Sequence, residues 1–192
     1  MAQYAIGKQM TGEDFRRARD ILGMTQKEFA AFAGCSPRTV ENWETKPGPV
    51  TGPVVTLLEF LFRWPELVGK LEVPERKTNL RLWYMYKSMV CTVIDVDEMN
   101  RLVTIRNYIS NPLYRAFGVD TEPDYEAYEA FLESRCFPRT RDKMKIELRA
   151  LGIPFYDPLL IIEKTEGRMA EDDFWIRIER NSHDRNEGQG PV

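Results

Sequence analysis

The chain has 192 residues, a formal net charge of −3 and 43% hydrophobic residues, enough for one large domain or two small ones. No apolar run approaches the ~18 residues of a membrane span, and the start Met1-Ala2-Gln3-Tyr4-Ala5 lacks the pattern of a signal peptide. Three separated cysteines (Cys35, Cys91, Cys136) without a CxxC pair, and one histidine, His183, argue against zinc and against a disulfide framework; a cytoplasmic protein without metal or cofactor is expected.

Thr11-Gly12-Glu13-Asp14 predicts a helix start, with Thr11 as N-cap and Asp14 three residues on. Phe15, Ala18, Ile21 and Leu22 then recur at helical spacing and define a buried face. Gly23 ends this helix. Thr25-Gln26-Lys27-Glu28 is a full capping box, opening a second helix that buries Phe29, Ala30 and Ala33. Gly34 frees the backbone for a sharp turn. Ser36 caps a third helix and Pro37 suits its first position, where no amide hydrogen is needed. Val40 and Trp43 point back to the core.

Two short helices around a glycine turn form the pattern of a helix-turn-helix, whose second helix enters the DNA major groove. The positions left exposed on that helix are Arg38, Thr39, Glu41 and Asn42. Arg and Asn make bidentate contacts to guanine and adenine edges. Gln26 and Lys46 are candidates for phosphate contact. Residues 1–72 hold nine basic and nine acidic side chains, so nonspecific coating of nucleic acid is not indicated.

The span Met10 to Leu71 resembles the Xre/Cro-repressor class of helix-turn-helix domains, and most of all the antitoxin-type members in which Trp-Glu (here Trp43-Glu44) closes the recognition helix. The loop Thr45–Gly52, a helix over Pro53–Trp64 and Pro65-Glu66-Leu67 complete that pattern. The resemblance implies phosphate contact by Gln26 and base reading by Arg38, Thr39 and Asn42; Pro37 replaces a position often polar in the class. It also implies a homodimer on a pseudo-palindromic operator of double-stranded DNA. Phe60, Leu61 and Trp64 fit either dimer contacts or core.

Val73-Pro74-Glu75-Arg76-Lys77-Thr78-Asn79 reads as a linker. Beyond it, Leu82–Tyr86, Val90–Ile94 and Leu102–Ile105 are rich in β-branched and aromatic residues, which predicts a three-stranded antiparallel meander. An acidic amphipathic helix follows over Pro123–Leu132. A basic helix after Pro138 is expected to carry Arg139, Arg141, Lys143, Lys145 and Arg149 around Met144, Ile146 and Leu148. Asp157-Pro158 caps a third helix, and Asp173–Glu179 alternates as an edge strand does. The expected architecture is thus an all-α helix-turn-helix domain (1–72), a linker (73–79), a small α+β partner-binding or dimerisation domain (80–180) and a disordered tail (181–192).

Arg135, Arg139, Arg141, Lys143 and Lys145 form a candidate surface for DNA phosphates or an acidic partner, although Glu133, Asp142 and Glu147 among them suit a solvated, salt-bridged face better. Trp83, Tyr84, Tyr86 and Trp175 fit either a partner surface or core filling. Catalysis is not expected, because the chain has no glycine-rich phosphate loop, no nucleophile elbow and no histidine before the tail. The pattern Arg135, Pro138, Arg141, Asp142, then Asp172, Trp175 and Ile176 resembles a small module associated with HipA-like kinases in Firmicutes mobile elements. It implies a protein-contacting domain. The expected function is a DNA-binding autorepressor of antitoxin type whose partner is a HipA-like kinase; the alternative is an inhibitor of a host nuclease, of anti-CRISPR type, carried by a phage or mobile element.

Overall fold

The computed structural model describes residues Tyr4–Arg180; the expected tail 181–192, with His183, lies outside the described residues. The chain divides into two compact units, Met1–Glu72 and Val73–Val192. In the first, helices α1 (Gly12–Ile21), α2 (Gln26–Ala33), α3 (Pro37–Thr45), α4 (Pro53–Arg63) and α5 (Glu66–Leu71) surround Phe15, Phe29, Val40, Val55, Leu58 and Leu61. Phe15 is fully buried in this core, with its ring centroid 5.4 Å from those of Phe29 and Trp43. A two-residue antiparallel ribbon, β1 (Gln9–Met10) with β2 (Val50–Thr51), ties the chain entering α1 to the loop before α4. No periodicity announces strands this short.

Helix α1 differs from its expected inner face at two positions. Ile21 is 63% exposed, whereas Arg19 is buried. Arg19 donates from Nε to Glu44 Oε1 at 2.7 Å and from Nη1 to the Met24 carbonyl, so a charge replaces an aliphatic side chain in that layer. Leu61 belongs to the core, while Phe60 and Trp64 remain partly exposed and lie against each other at 5.6 Å.

The second unit is a four-stranded antiparallel sheet of order β5-β4-β3-β6, formed by β3 (Leu80–Tyr86), β4 (Met89–Asp97), β5 (Leu102–Asn107) and β6 (Phe174–Arg180). The meander accounts for three strands. The last strand returns beside the first, pairing Tyr84 with Ile176. Alternation sends Leu80, Leu82 and Tyr84 to one core with Ile94, Val96 and Ile176. Helices α6 (Tyr125–Ser134), α7 (Met144–Ala150) and α8 (Pro158–Thr165) supply Tyr128, Phe131, Leu132, Leu148, Ile161 and Ile162 to that core. On the other strand positions, Arg81 sits opposite Asp95 and binds it through two hydrogen bonds of 2.6 and 2.7 Å.

The basic helix is shorter than expected. It begins at Met144, so Arg139, Arg141 and Lys143 precede it. The Arg141 amide bonds the Pro138 carbonyl at 3.0 Å in a turn, and Lys143 adopts a left-handed conformation (φ 65°) that stops the helix from extending backward. Ile146 is 62% exposed rather than packed. Tyr84, one of the aromatics considered for a partner surface, is buried and stacks on Phe174 at 4.9 Å.

Candidate nucleic-acid interface

The local geometry of α2 and α3 follows from their caps. Thr25 Oγ1 accepts from the Glu28 amide, and Glu28 Oε2 accepts from the Thr25 amide at 2.7 Å. That bond to the Thr25 amide is also the main reason the Glu28 carboxyl lies below its ordinary pKa. Gly34 ends α2 at φ 66° and ψ 33°, a region that costs a β-carbon ~1–2 kcal/mol. The Cys35 amide then closes back on the Ala30 carbonyl at 2.9 Å. Ser36 Oγ accepts from the Thr39 amide at 3.2 Å, with Pro37 at the first position of α3.

Arg38 and Asn42 stand four residues apart on α3, hence on one face of it, while Val40 is fully buried on the opposite side. Arg38 is exposed and Asn42 half-buried. Among the described residues, no hydrogen bond or ion pair holds the side chains of Arg38, Asn42 or Lys46. These groups are free to take up partners. Thr39 is different: its hydroxyl lies 2.9 Å from Ser36 Oγ, which leaves its methyl group as the contact it offers. Lys46 ends α3 in extended backbone and is exposed.

Gln26 occupies the first position of α2, and its Nε2 donates to Glu44 Oε2 at 2.8 Å. A primary amide has two donor hydrogens, so this bond orients the side chain and leaves a second donor at the helix N-terminus. Glu44 thus holds two elements at once, Arg19 of α1 through one oxygen and Gln26 of α2 through the other. Its bond to Arg19 is the largest reason the guanidinium is raised further above its ordinary pKa. The sequence reading missed this clamp. Glu44 was visible only as part of Trp43-Glu44, and nothing in the spacing links it to Arg19. Lys27, exposed at the second position of α2, is a further cation beside the same helix start.

The basic surface proposed for the second unit is not one surface. Arg135 is withdrawn from it: only 7% exposed, it donates from Nη1 and Nη2 to both Asp172 oxygens at 2.7 and 3.0 Å. Its remaining donors reach the carbonyls of Gly167 and Phe174 at 3.0 Å each. The bond to Arg135 is the main reason that Asp172 lies below its ordinary pKa. Arg139 pairs with Glu133 at 2.8 Å and Arg141 with Glu147 at 3.5 Å. Lys143 and Lys145 are exposed and have no ion-pair partner among the described residues.

Among the described residues no group of three or more His, Cys, Asp or Glu side chains could hold a metal ion, and no helix is long and apolar enough to cross a membrane. Residues 15–59 match the family model described as Helix-turn-helix. Neither the curated proteins nor the solved structures contain a match to the chain. The matched segment runs from Phe15 of α1 into α4 and contains the capped pair α2 and α3 whole. The first unit is therefore a helix-turn-helix domain of the Xre/Cro type, and the chain that carries it is a DNA-binding regulator.

Proposed function

We propose that the protein is a sequence-specific repressor of antitoxin type that binds a pseudo-palindromic operator as a homodimer, with its second domain engaging a partner protein. Arg38 reads a guanine and Asn42 an adenine, each through a bidentate contact. The methyl of Thr39 suits the C5 methyl of thymine. Gln26, Lys27 and Lys46 fix the register on phosphates. The observation that carries this reading is the contrast along α3: every cap and core position is held, while Arg38 and Asn42 on the outer face are not. A HipA-like kinase is the partner suggested by the sequence of the second domain. The reading assigns the chain no catalytic step.

Selection from a random pool of DNA duplexes tests this directly. The expected result is enrichment of two half-sites in inverted repeat, spaced by about one helical turn, with guanine and adenine fixed in each half. Footprinting of DNA upstream of the gene should then protect the same repeat. A pool that emerges without a consensus overturns the reading.

A further inference from the structure

Helix α6, the turn between β4 and β5 and the start of α8 enclose a cleft of about 530 Å³ in the second domain, within the size range of ligand pockets. Its walls are acidic, with Glu98, Glu126, Glu129, Glu133 and Asp157 facing one cation, Arg139. Two of the carboxylates are already matched by this chain. Glu129 pairs with Arg101 at 3.2 Å and Glu133 with Arg139 at 2.8 Å. Asp157 gives one oxygen to the Leu160 amide. Glu98 and Glu126 have no hydrogen bond or ion pair among the described residues.

Tyr128 supplies the second, independent observation. It is 2% exposed and lines the cleft, yet among the described residues nothing hydrogen-bonds to its hydroxyl. Among the described residues no fully buried side-chain oxygen lacks a partner, so the Tyr128 hydroxyl keeps contact with solvent, on the side where its residue lines the cleft. Beside it, 5.4 Å between ring centroids, Tyr125 already carries a guanidinium, that of Arg101 at 4.2 Å. Aromatic faces, an unpartnered phenol oxygen and unpaired carboxylates together describe a receptor for a planar organic cation. A guanidinium fits better than an ammonium, because it stacks on a ring while its edge donates to carboxylates. Nucleic acid is excluded by charge.

We propose that this cleft binds an arginine-bearing segment of a partner protein, with the carboxylates of Glu98 and Glu126 receiving the guanidinium edge and the Tyr128 hydroxyl accepting one of its donors. The inference deepens the reading of the second domain as a partner-binding domain, and it fails or stands independently of the DNA reading. The test uses the full chain and a fluorescein-labelled hexa-arginine peptide, with binding followed by anisotropy at about 0.15 M salt, where diffuse attraction is screened.

Wild type should bind saturably, and Glu98→Gln/Glu126→Gln should weaken binding by about tenfold, the scale of one charge-assisted contact. The charge-matched control Glu75→Gln/Glu171→Gln, on exposed positions outside the cleft, should leave it unchanged. Tyr128→Phe removes no internal hydrogen bond; it should keep the melting temperature and still weaken binding by about threefold. Absence of saturable binding overturns the proposal. So does equal weakening by the two double variants, or a Tyr128→Phe protein that binds as wild type does.

Discussion

At the scale of single residues, two buried arginines were the least legible. Arg19 and Arg135 each look like surface side chains by type, and each is buried against a carboxylate, at separations of 25 and 37 residues along the chain. Composition and periodicity carry no information on such pairs, because both partners are polar and neither spacing is local. Removing one member of a buried pair leaves the other uncompensated, so Arg135→Met should destabilise the second domain by about 3 kcal/mol. Arg139→Gln, which loses an exposed pair, should change stability by less than about 1 kcal/mol. Urea denaturation of both variants checks this.

The same pair predicts a pH dependence. Asp172 is held below its ordinary pKa chiefly by its hydrogen bonds to Arg135, so it binds a proton more readily unfolded than folded. Its contribution is therefore complete above about pH 4, the ordinary aspartate range, and is lost as pH falls through the lowered folded value. The urea midpoint of wild type should drop between about pH 5 and about pH 3 by more than that of Asp172→Asn. Parallel curves for the two proteins would remove Asp172 from the account.

At the scale of elements, the N-terminal helices were legible from their punctuation. Thr11, Thr25, Ser36 and Gly34 cap or end helices where their types indicate, because the forces involved act within four residues. The packing between elements was less so. Gly12 reads as an indifferent first-turn residue, yet a β-carbon there would lie 2.7 Å from the Trp43 carbonyl oxygen and 2.8 Å from that of Glu44. It is the contact point of α1 with the end of α3. Gly12→Ala should cost about 1–3 kcal/mol, as overpacking does, whereas Thr25→Ala should cost about 1 kcal/mol through its cap. Thermal unfolding monitored by near-ultraviolet circular dichroism separates the two. The late start of α7 has the same lesson: a basic pattern ran through residues 139–143, but the turn closed by Pro138 and the left-handed Lys143 override it. Likewise, alternation marked β6 as a strand but held no signal that it returns to β3.

At the scale of the whole molecule, charge decides how the protein meets DNA. The first domain has as many acidic as basic side chains over residues 1–72, so affinity must come from a few placed contacts rather than a broad positive field. With Lys27 and Lys46 as the charged phosphate contacts of each copy, a dimer neutralises about four phosphates, giving a slope of log K against log salt of about −4. A slope near −9 would require a much wider basic surface than the domain presents. The second domain stands apart from this chemistry. Its cleft is acidic, and the role we propose for it is contact with a partner protein.

The central claim is that α3 reads bases through Arg38 and Asn42. The most direct measurement is the affinity of wild type and Arg38→Ala/Asn42→Ala for the selected operator, with a random duplex measured alongside. Each lost bidentate contact is worth about 1–3 kcal/mol, so the double variant should lose at least about 30-fold on the operator while its affinity for random duplex stays within about twofold, since Lys27, Lys46 and Gln26 still hold the phosphates. Equal loss on both duplexes, or no loss on either, would contradict the account and return Arg38 and Asn42 to the solvated surface.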